Sequence, residues 1–422
     1  MSLKPETRDF LQKESLERFL HYVTIHTTSD DEKAGKTPST ERQFDLAKIL
    51  RDELKELGLE KVELDEYCYV YATLPSNVDK NTVPIGFIAH IDTSNAVSGE
   101  NVKPIIHKNY DGSDIVLSAD PAVVISPSDV PYLKKVVGEN IITASGDTLL
   151  GADDKAGIAE IMAAMAAFKK FPQLKHGEIR ICFTPDEEIG MGTAKITLDK
   201  LGKYCYTVDG SEPGEIENEC FDAYMVELTF NGVNVHPGFA KNKMTNAVNI
   251  AGRYLADLPE WESPEHTEKR EGFYHPMGIS GNVEKCSFKM IVRDFENQAN
   301  LTRIEALKKL NAAYEARYPN LKIEMEVKHQ YQNMREVLDN YPEVIELAVK
   351  AIELSEIKVI QNYIRGGTDG SRLCQMGIPT PNLFAGGMLF HGKKEFIAES
   401  SLRKAAETII HLSALWADKG TD

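Results

Sequence analysis

The sequence predicts an α/β protein: a mixed, mostly parallel sheet flanked by helices, interrupted by an inserted α+β domain of the ferredoxin-like kind. Near-continuous apolar runs at residues 84–91, 179–183 and 204–208 read as strands buried on both faces, with helical patterns between them. From about residue 222 the pattern changes to alternation, at 223–231, 283–295 and 322–330, which marks half-exposed strands. The length of 422 residues also exceeds what one core ordinarily holds, so two domains are expected.

Residues 6–25 read as an amphipathic helix with Phe10, Leu11, Leu16, Phe19, Leu20 and Val23 on one side. A polar, turn-like stretch follows at 28–40. Ser39 is expected to cap a second helix that runs to about Leu57 on Ala47, Ile49, Leu50 and Leu54. Residues 62–74 read as one strand, and 84–91 as a buried strand ending in His90-Ile91-Asp92-Thr93. The stretch 94–145 is loop-rich and resists assignment. A helix is expected at 158–171 and strands at 178–184 and 204–208, the last ending in Asp209-Gly210. The inserted domain covers 222–332, with helices at 242–258 and 301–318 between its strands. Helical periodicity returns at 341–354 and 399–417, so residues 1–221 and 333–422 are expected to form one domain together.

A net charge of -17 argues against nucleic acid or an anionic membrane as partner, since both favour basic surfaces. The first residues, Met1 to Glu6, lack the apolar core of a signal peptide, and no apolar run is long enough to span a bilayer. Cys68, Cys182, Cys205, Cys220, Cys286 and Cys374 are scattered without a CxxC pair, which fits buried free thiols in a reducing cytoplasm.

The chemistry-bearing residues collect at element ends. His90, Glu187, Glu188 and Asp209 each stand where an apolar strand stops, and Asp153 where a helix starts. In open α/β sheets, ligands bind beyond the carboxyl ends of the strands. In Phe183-Thr184-Pro185-Asp186-Glu187-Glu188, neighbouring side chains leave the strand end in different directions. One glutamate can then hold a metal while the other serves as general base. His90 and Asp92 are one residue apart on one face of a strand, so Asp92 can orient the His90 ring. Asp153-Asp154-Lys155 suits either a helix cap or a carboxylate bridging two cations. His391 follows the Gly386-Gly387 loop. Each feature alone has a plainer reading, as solvated turn, structural histidine, cap or surface loop. As a set, two histidines and several carboxylates without thiolates suit zinc, or manganese or cobalt, at two positions sharing a carboxylate and a water about 3.5–4 Å apart. The acidic GADDK turn also suggests metal-dependent phosphoryl transfer, but no Gly-Lys-Ser/Thr phosphate loop accompanies it.

Seven segments now carry a resemblance: HIDT, GADDKAG, TPDEEIGMG, VDGSEPGEIE, NVHPGFAKNKMTNA, IRGGTDGSR and FAGGMLFHGKKEF. Together they resemble the dinuclear zinc peptidase family that includes glutamate carboxypeptidases and dipeptidases. Within it, the NVHPGFAKNKMTNA segment and the FHG form around His391 resemble the tripeptide aminopeptidases of the peptidase T branch. The resemblance spans about His21 to the C-terminal helix, with no departure at a motif position. It implies two Zn2+ per chain, with Mn2+ or Co2+ as substitutes. His90 and Asp209 would bind one ion, Glu188 and His391 the other, and Asp153 both, through a cis Asp153-Asp154 peptide. It implies Glu187 as general base and Asp92 as the partner of His90. The activity it implies is release of the N-terminal residue from tripeptides by attack of a dizinc-bound hydroxide. It also implies a catalytic domain with an inserted lid or dimerisation domain, which leaves a homodimer open. The lid residue His236 would help hold the tetrahedral intermediate. Arg293 and Arg365 suit the carboxylate of a short peptide, and an anchor at fixed reach would favour tripeptides. The rival readings are a dipeptidase or amidohydrolase of the same family, and a non-catalytic metal- or peptide-binding protein on the same fold.

Overall fold

The apolar runs form the middle of a sheet. The computed structural model describes residues 3–420. Among them, eight strands pair in the order Glu60–Leu64, Val70–Leu74, Ile179–Thr184, Ile85–His90, Tyr204–Gly210, Asn382–Phe384, Glu215–Cys220 and Ile360–Ile364. The four from Ile179–Thr184 to Asn382–Phe384 run parallel. Strand Val70–Leu74 pairs antiparallel with Ile179–Thr184 and with Glu60–Leu64, and Glu215–Cys220 pairs antiparallel with Asn382–Phe384. Every residue of Ile85–His90 is buried, as parallel strands covered on both faces require.

The helix Ala152–Lys170 packs on Ile85–His90 and Tyr204–Gly210, and against the helices Pro5–Tyr22 and Glu399–Lys419. Its contact with the sheet is close at Gly157. A Cβ there would lie 1.9 Å from the Val208 carbonyl oxygen and 2.5 Å from Asp154 Oδ1. Neither backbone nor helix start can give way cheaply. Gly157→Ala is therefore expected to lower stability by about 1–3 kcal/mol or more, despite alanine's better helix propensity. Urea denaturation checks this, and a midpoint at or above wild type contradicts it.

By its internal contacts the chain forms two units. The first comprises Met1–Asn218, Val337–Asn362 and Thr368–Asp422; the second comprises Glu219–Glu336 and Tyr363–Gly367. In the second unit an antiparallel sheet runs in the order Phe273–Gly281, Lys285–Asp294, Asp222–Asn231 and Lys322–Tyr331. Strand Asp222–Asn231 alternates between buried and half-buried along most of its length. Its buried Val226, Leu228 and Phe230 pack with Ile250 and Tyr254 of helix Ala247–Ala256 and Leu307 of helix Asn297–Arg317.

Several expectations need correction. Residues 62–74 are two strands: Asp65 accepts the amides of Tyr67 and Tyr69, and Cys68 takes a positive φ of 74°, which turns the chain back. Ser39 does not cap the second helix, Gln43–Leu57; its N-cap position is Arg42. The first helix buries Thr7, Leu11, Ser15, Phe19 and Tyr22, while Leu16 and Leu20 are only half-buried. The stretch 94–145 holds short strands, with a cluster of Tyr110, Ile115, Leu117, Ile125, Leu133 and Ile141 packed on Phe396 and Ala398. Strand Phe273–Gly281 escaped notice because Pro276, Gly278 and Gly281 are poor strand formers, tolerated at a sheet edge. Residues 363–367 belong with the second unit rather than the first. Phe221 N–H donates to the Ile364 carbonyl, and Arg365 binds three carbonyls of the 267–271 segment.

Candidate metal centre

Parallel pairing carries the strand ends to one edge of the first unit's sheet. Strand Ile85–His90 lies between Ile179–Thr184 and Tyr204–Gly210. His90 closes the first of these and is 2 % exposed. Asp209 is next to last in its strand, and Glu187 and Glu188 follow Thr184 by one short turn. The start of helix Ala152–Lys170 adds Asp153, where the Asp153-Asp154 peptide is cis and both residues leave helical geometry. His391 comes from a late turn, at a positive φ of 60°.

Two groups of potential ligands result: His90, Asp153 and Asp209, and Asp153, Glu188 and His391. Within each group the ligand atoms lie within 4.8 Å of one another. His90 Nε2 is 2.7 Å from Asp153 Oδ1 and 3.5 Å from Asp209 Oδ1. His391 Nε2 is 3.1 Å from Asp153 Oδ2 and 2.9 Å from Glu188 Oε2. Asp153 thus gives one oxygen to each group. Glu188 Oε1 is buried and has no hydrogen-bond partner, as a carboxylate awaiting a cation would be. Two imidazoles and three carboxylates, with no sulfur, form a donor set that zinc, manganese or cobalt accepts.

The surrounding hydrogen bonds hold the ligands in place. His90 Nδ1 lies 2.9 Å from the Asp92 main-chain carbonyl. A carbonyl only accepts, so Nδ1 carries the hydrogen and Nε2 keeps its lone pair for a metal. The expected carboxylate of Asp92 is farther away, 3.5 Å from Nδ1. It accepts instead from the backbone amides of Glu187, at 2.9 Å, and Glu188, at 3.3 Å. Asp92 therefore clamps the turn that carries both glutamates. Asp186 clamps it from the other side: this buried residue, at φ 58°, accepts from Ser39 N–H, Ser39 Oγ and Gln43 Nε2. That task is why Ser39 is not free to cap a helix. Asp154 accepts from the amides of His90 and Gly157.

Burial sets the electrostatics. It raises the Glu188 carboxyl to about 7 and that of Asp209 to about 6, with Asp153 adding to both and His90 opposing. Burial likewise pushes Glu187 well above the carboxylate range, and Asp369 adds most among its charged neighbours. Hydrogen bonds to Asp153 and Glu188 lift His391 to about 11. In Asp153, burial is outweighed by the two histidines, and its carboxyl is held below the usual range. A site that forces this many carboxyls to share so few positive partners is built for added positive charge.

The remaining expected residues lie in the second unit. His236 is exposed, and its Nδ1 accepts from the Gly238 amide. Arg293 is buried over the Tyr331 ring and donates to Gln330. Arg365 donates to the carbonyls of Lys269 and Glu271 and to Thr267, with its guanidinium over Phe221. Sequence reasoning gave no role to Asp186, Asp369 or Glu395, and none of its own to Asp154. All four sit inside segments that carried the resemblance, but their partners are backbone amides and side chains of distant segments, which leave no local signal.

The family model for peptidases of families M20, M25 and M40 matches residues 147–414. A peptidase T from Geobacillus sp. (strain WCH70) is 47 % identical over 410 residues, covering 97 % of this chain and all of that protein. The chain belongs to peptidase family M20/M25/M40. The matched span takes in each member of the two ligand groups except His90. Two solved structures share the fold. An aminopeptidase PepT from Bacillus cereus superposes with a TM-score of 0.75 at 23 % identity, covering 96 % of this chain and 99 % of the other. A Bacillus subtilis protein described as a dinuclear metal binding M20 peptidase gives 0.66 at 15 % identity, covering 97 % and 99 %. An M20 chain of this kind thus carries a candidate metal-ligand cluster at the carboxyl edge of its sheet. No helix among the described residues is long and apolar enough to cross a membrane.

Proposed function

We propose that this chain is a metallo-aminopeptidase that releases the N-terminal residue of tripeptides, with two Zn2+ held by His90 and Asp209, by Glu188 and His391, and by Asp153 in common. Mn2+ or Co2+ would substitute in the same donor set. The observation that carries the reading is the pair of ligand groups sharing Asp153, with Glu187 fixed beside Glu188 but outside both groups. Full-length relatives named peptidase T support the substrate assignment. The six cysteines are buried, which suits thiols in a reducing cytoplasm.

Bound cations in such a site would acidify water and polarise the peptide carbonyl. The chain's own residues do the rest. Asp92 holds the Glu187 amide, which fixes the main chain from which the Glu187 side chain starts. Glu187 takes the proton of the attacking water and delivers it to the departing amine. A carboxyl raised well above its ordinary range by burial holds that proton readily. His236, with an exposed ring, is the candidate for steadying the developing oxyanion. Arg293 and Arg365 remain candidates for the substrate carboxylate, to which each would have to yield protein partners it already has.

The test is hydrolysis by zinc-loaded protein of a free tripeptide, the matching dipeptide and the N-acetylated tripeptide. Cleavage of the free tripeptide alone, releasing its first residue, is expected. Preference for the dipeptide or the acetylated peptide overturns the substrate assignment and leaves the metal chemistry standing.

A further inference from the structure

We infer that Glu395 is a positioning residue for the metal centre, which it serves by holding the main chain of the shared ligand Asp153. Glu395 is 1 % exposed and its side chain reaches across the fold to the turn before helix Ala152–Lys170. Its Oε2 accepts from the amides of Leu150 and Gly151, both at 2.8 Å, and its Oε1 from the amide of Asp153 at 3.1 Å. Three main-chain donors on one carboxylate fix the turn at the point where the chain leaves ordinary geometry, with Gly151 at φ 82°. Only a carboxylate suits this place. It offers acceptors on both oxygens and no hydrogen, whereas an amide would set an NH2 against an N–H.

The base of this support is itself fixed. Strand Phe396–Ala398 begins directly after Glu395 and pairs antiparallel with Ile141–Thr143. Four residues upstream, His391 faces Asp153 Oδ2 and Glu188 Oε2. One short segment, His391 to Glu395, therefore supplies a ligand to one group and anchors the backbone of the ligand common to both. Losing the anchor is expected to weaken both binding events together, because Asp153 serves both. A ligand used in one group alone, such as His391, weakens one.

This inference rests on the two-cation reading above. The experiment titrates Glu395→Gln and wild type with Zn2+ by chelator competition, and with Co2+ by its visible absorption band. The expected result is a folded variant whose two affinities both fall by about 10–100-fold and whose cobalt band changes shape. The control is Glu407→Gln, a buried glutamate bound to Arg403 on helix Glu399–Lys419. It is expected to lower stability and leave both affinities unchanged. Wild-type affinities in Glu395→Gln, or an equal loss in Glu407→Gln, overturn the inference. If Glu395→Gln does not fold, Glu395→Asp, whose acceptors fall one methylene short, is judged by the same criteria. A wild type that binds no metal at all removes the two-cation reading itself.

Discussion

Glu187→Gln is expected to lower turnover by about 10²–10⁴-fold and to leave the metal content of the protein unchanged. Glutamine keeps the shape of the side chain but cannot accept a proton from water. Glu187 belongs to neither ligand group, so its loss removes no donor. Its backbone amide stays on Asp92 whatever the side chain, so the neighbouring Glu188 stays aimed. The measurement pairs steady-state kinetics with metal analysis of the purified variant. Full turnover would rule out Glu187 as the base. Loss of a cation would make Glu187 a ligand instead.

Asp153→Ala is expected to cost more, because it removes one donor from each group at once. Each group is left with one histidine and one carboxylate. Zinc sites ordinarily need three protein ligands or more, so neither remnant holds its ion firmly. Bound metal after gel filtration should fall from two per chain to below one, and turnover should fall at least as far as in Glu187→Gln. The comparison variant is His391→Ala, which touches only the Glu188 group and should lose a single ion. Two ions retained by Asp153→Ala would refute the shared-ligand arrangement.

The gathering of ligand-type residues was legible in the sequence because it depends on chemistry at element ends, and the resemblance of the motifs divided them into two groups. An apolar run that stops at a histidine or an aspartate places that side chain at a sheet edge, and several such stops place several there. What could not be read was the second set of partners. Asp186 stands next to Glu187 in the chain, yet its carboxylate serves Ser39 and Gln43, nearly 150 residues away. Asp369 receives the Thr184 hydroxyl at 2.8 Å, and Thr184 occurs 185 residues earlier. Arg365 suits a peptide carboxylate by its chemistry, while in the fold its donors meet main-chain carbonyls. A carbonyl leaves no mark in the sequence, since every residue has one.

The sequence alone determined the fold class and the edge of the sheet where ligand-type residues gather, because apolar periodicity and strand termination are local properties of the chain. The set of five candidate metal ligands came from the family resemblance of its motifs. Only the tertiary structure decided which oxygen of Asp153 faces which histidine, that Asp92 grips the Glu187-Glu188 turn, and that Glu395 anchors the turn bearing Asp153. Those choices are contacts of side chains with side chains or backbone amides far away in the chain, and they exist only once folding has set the segments within hydrogen-bond reach.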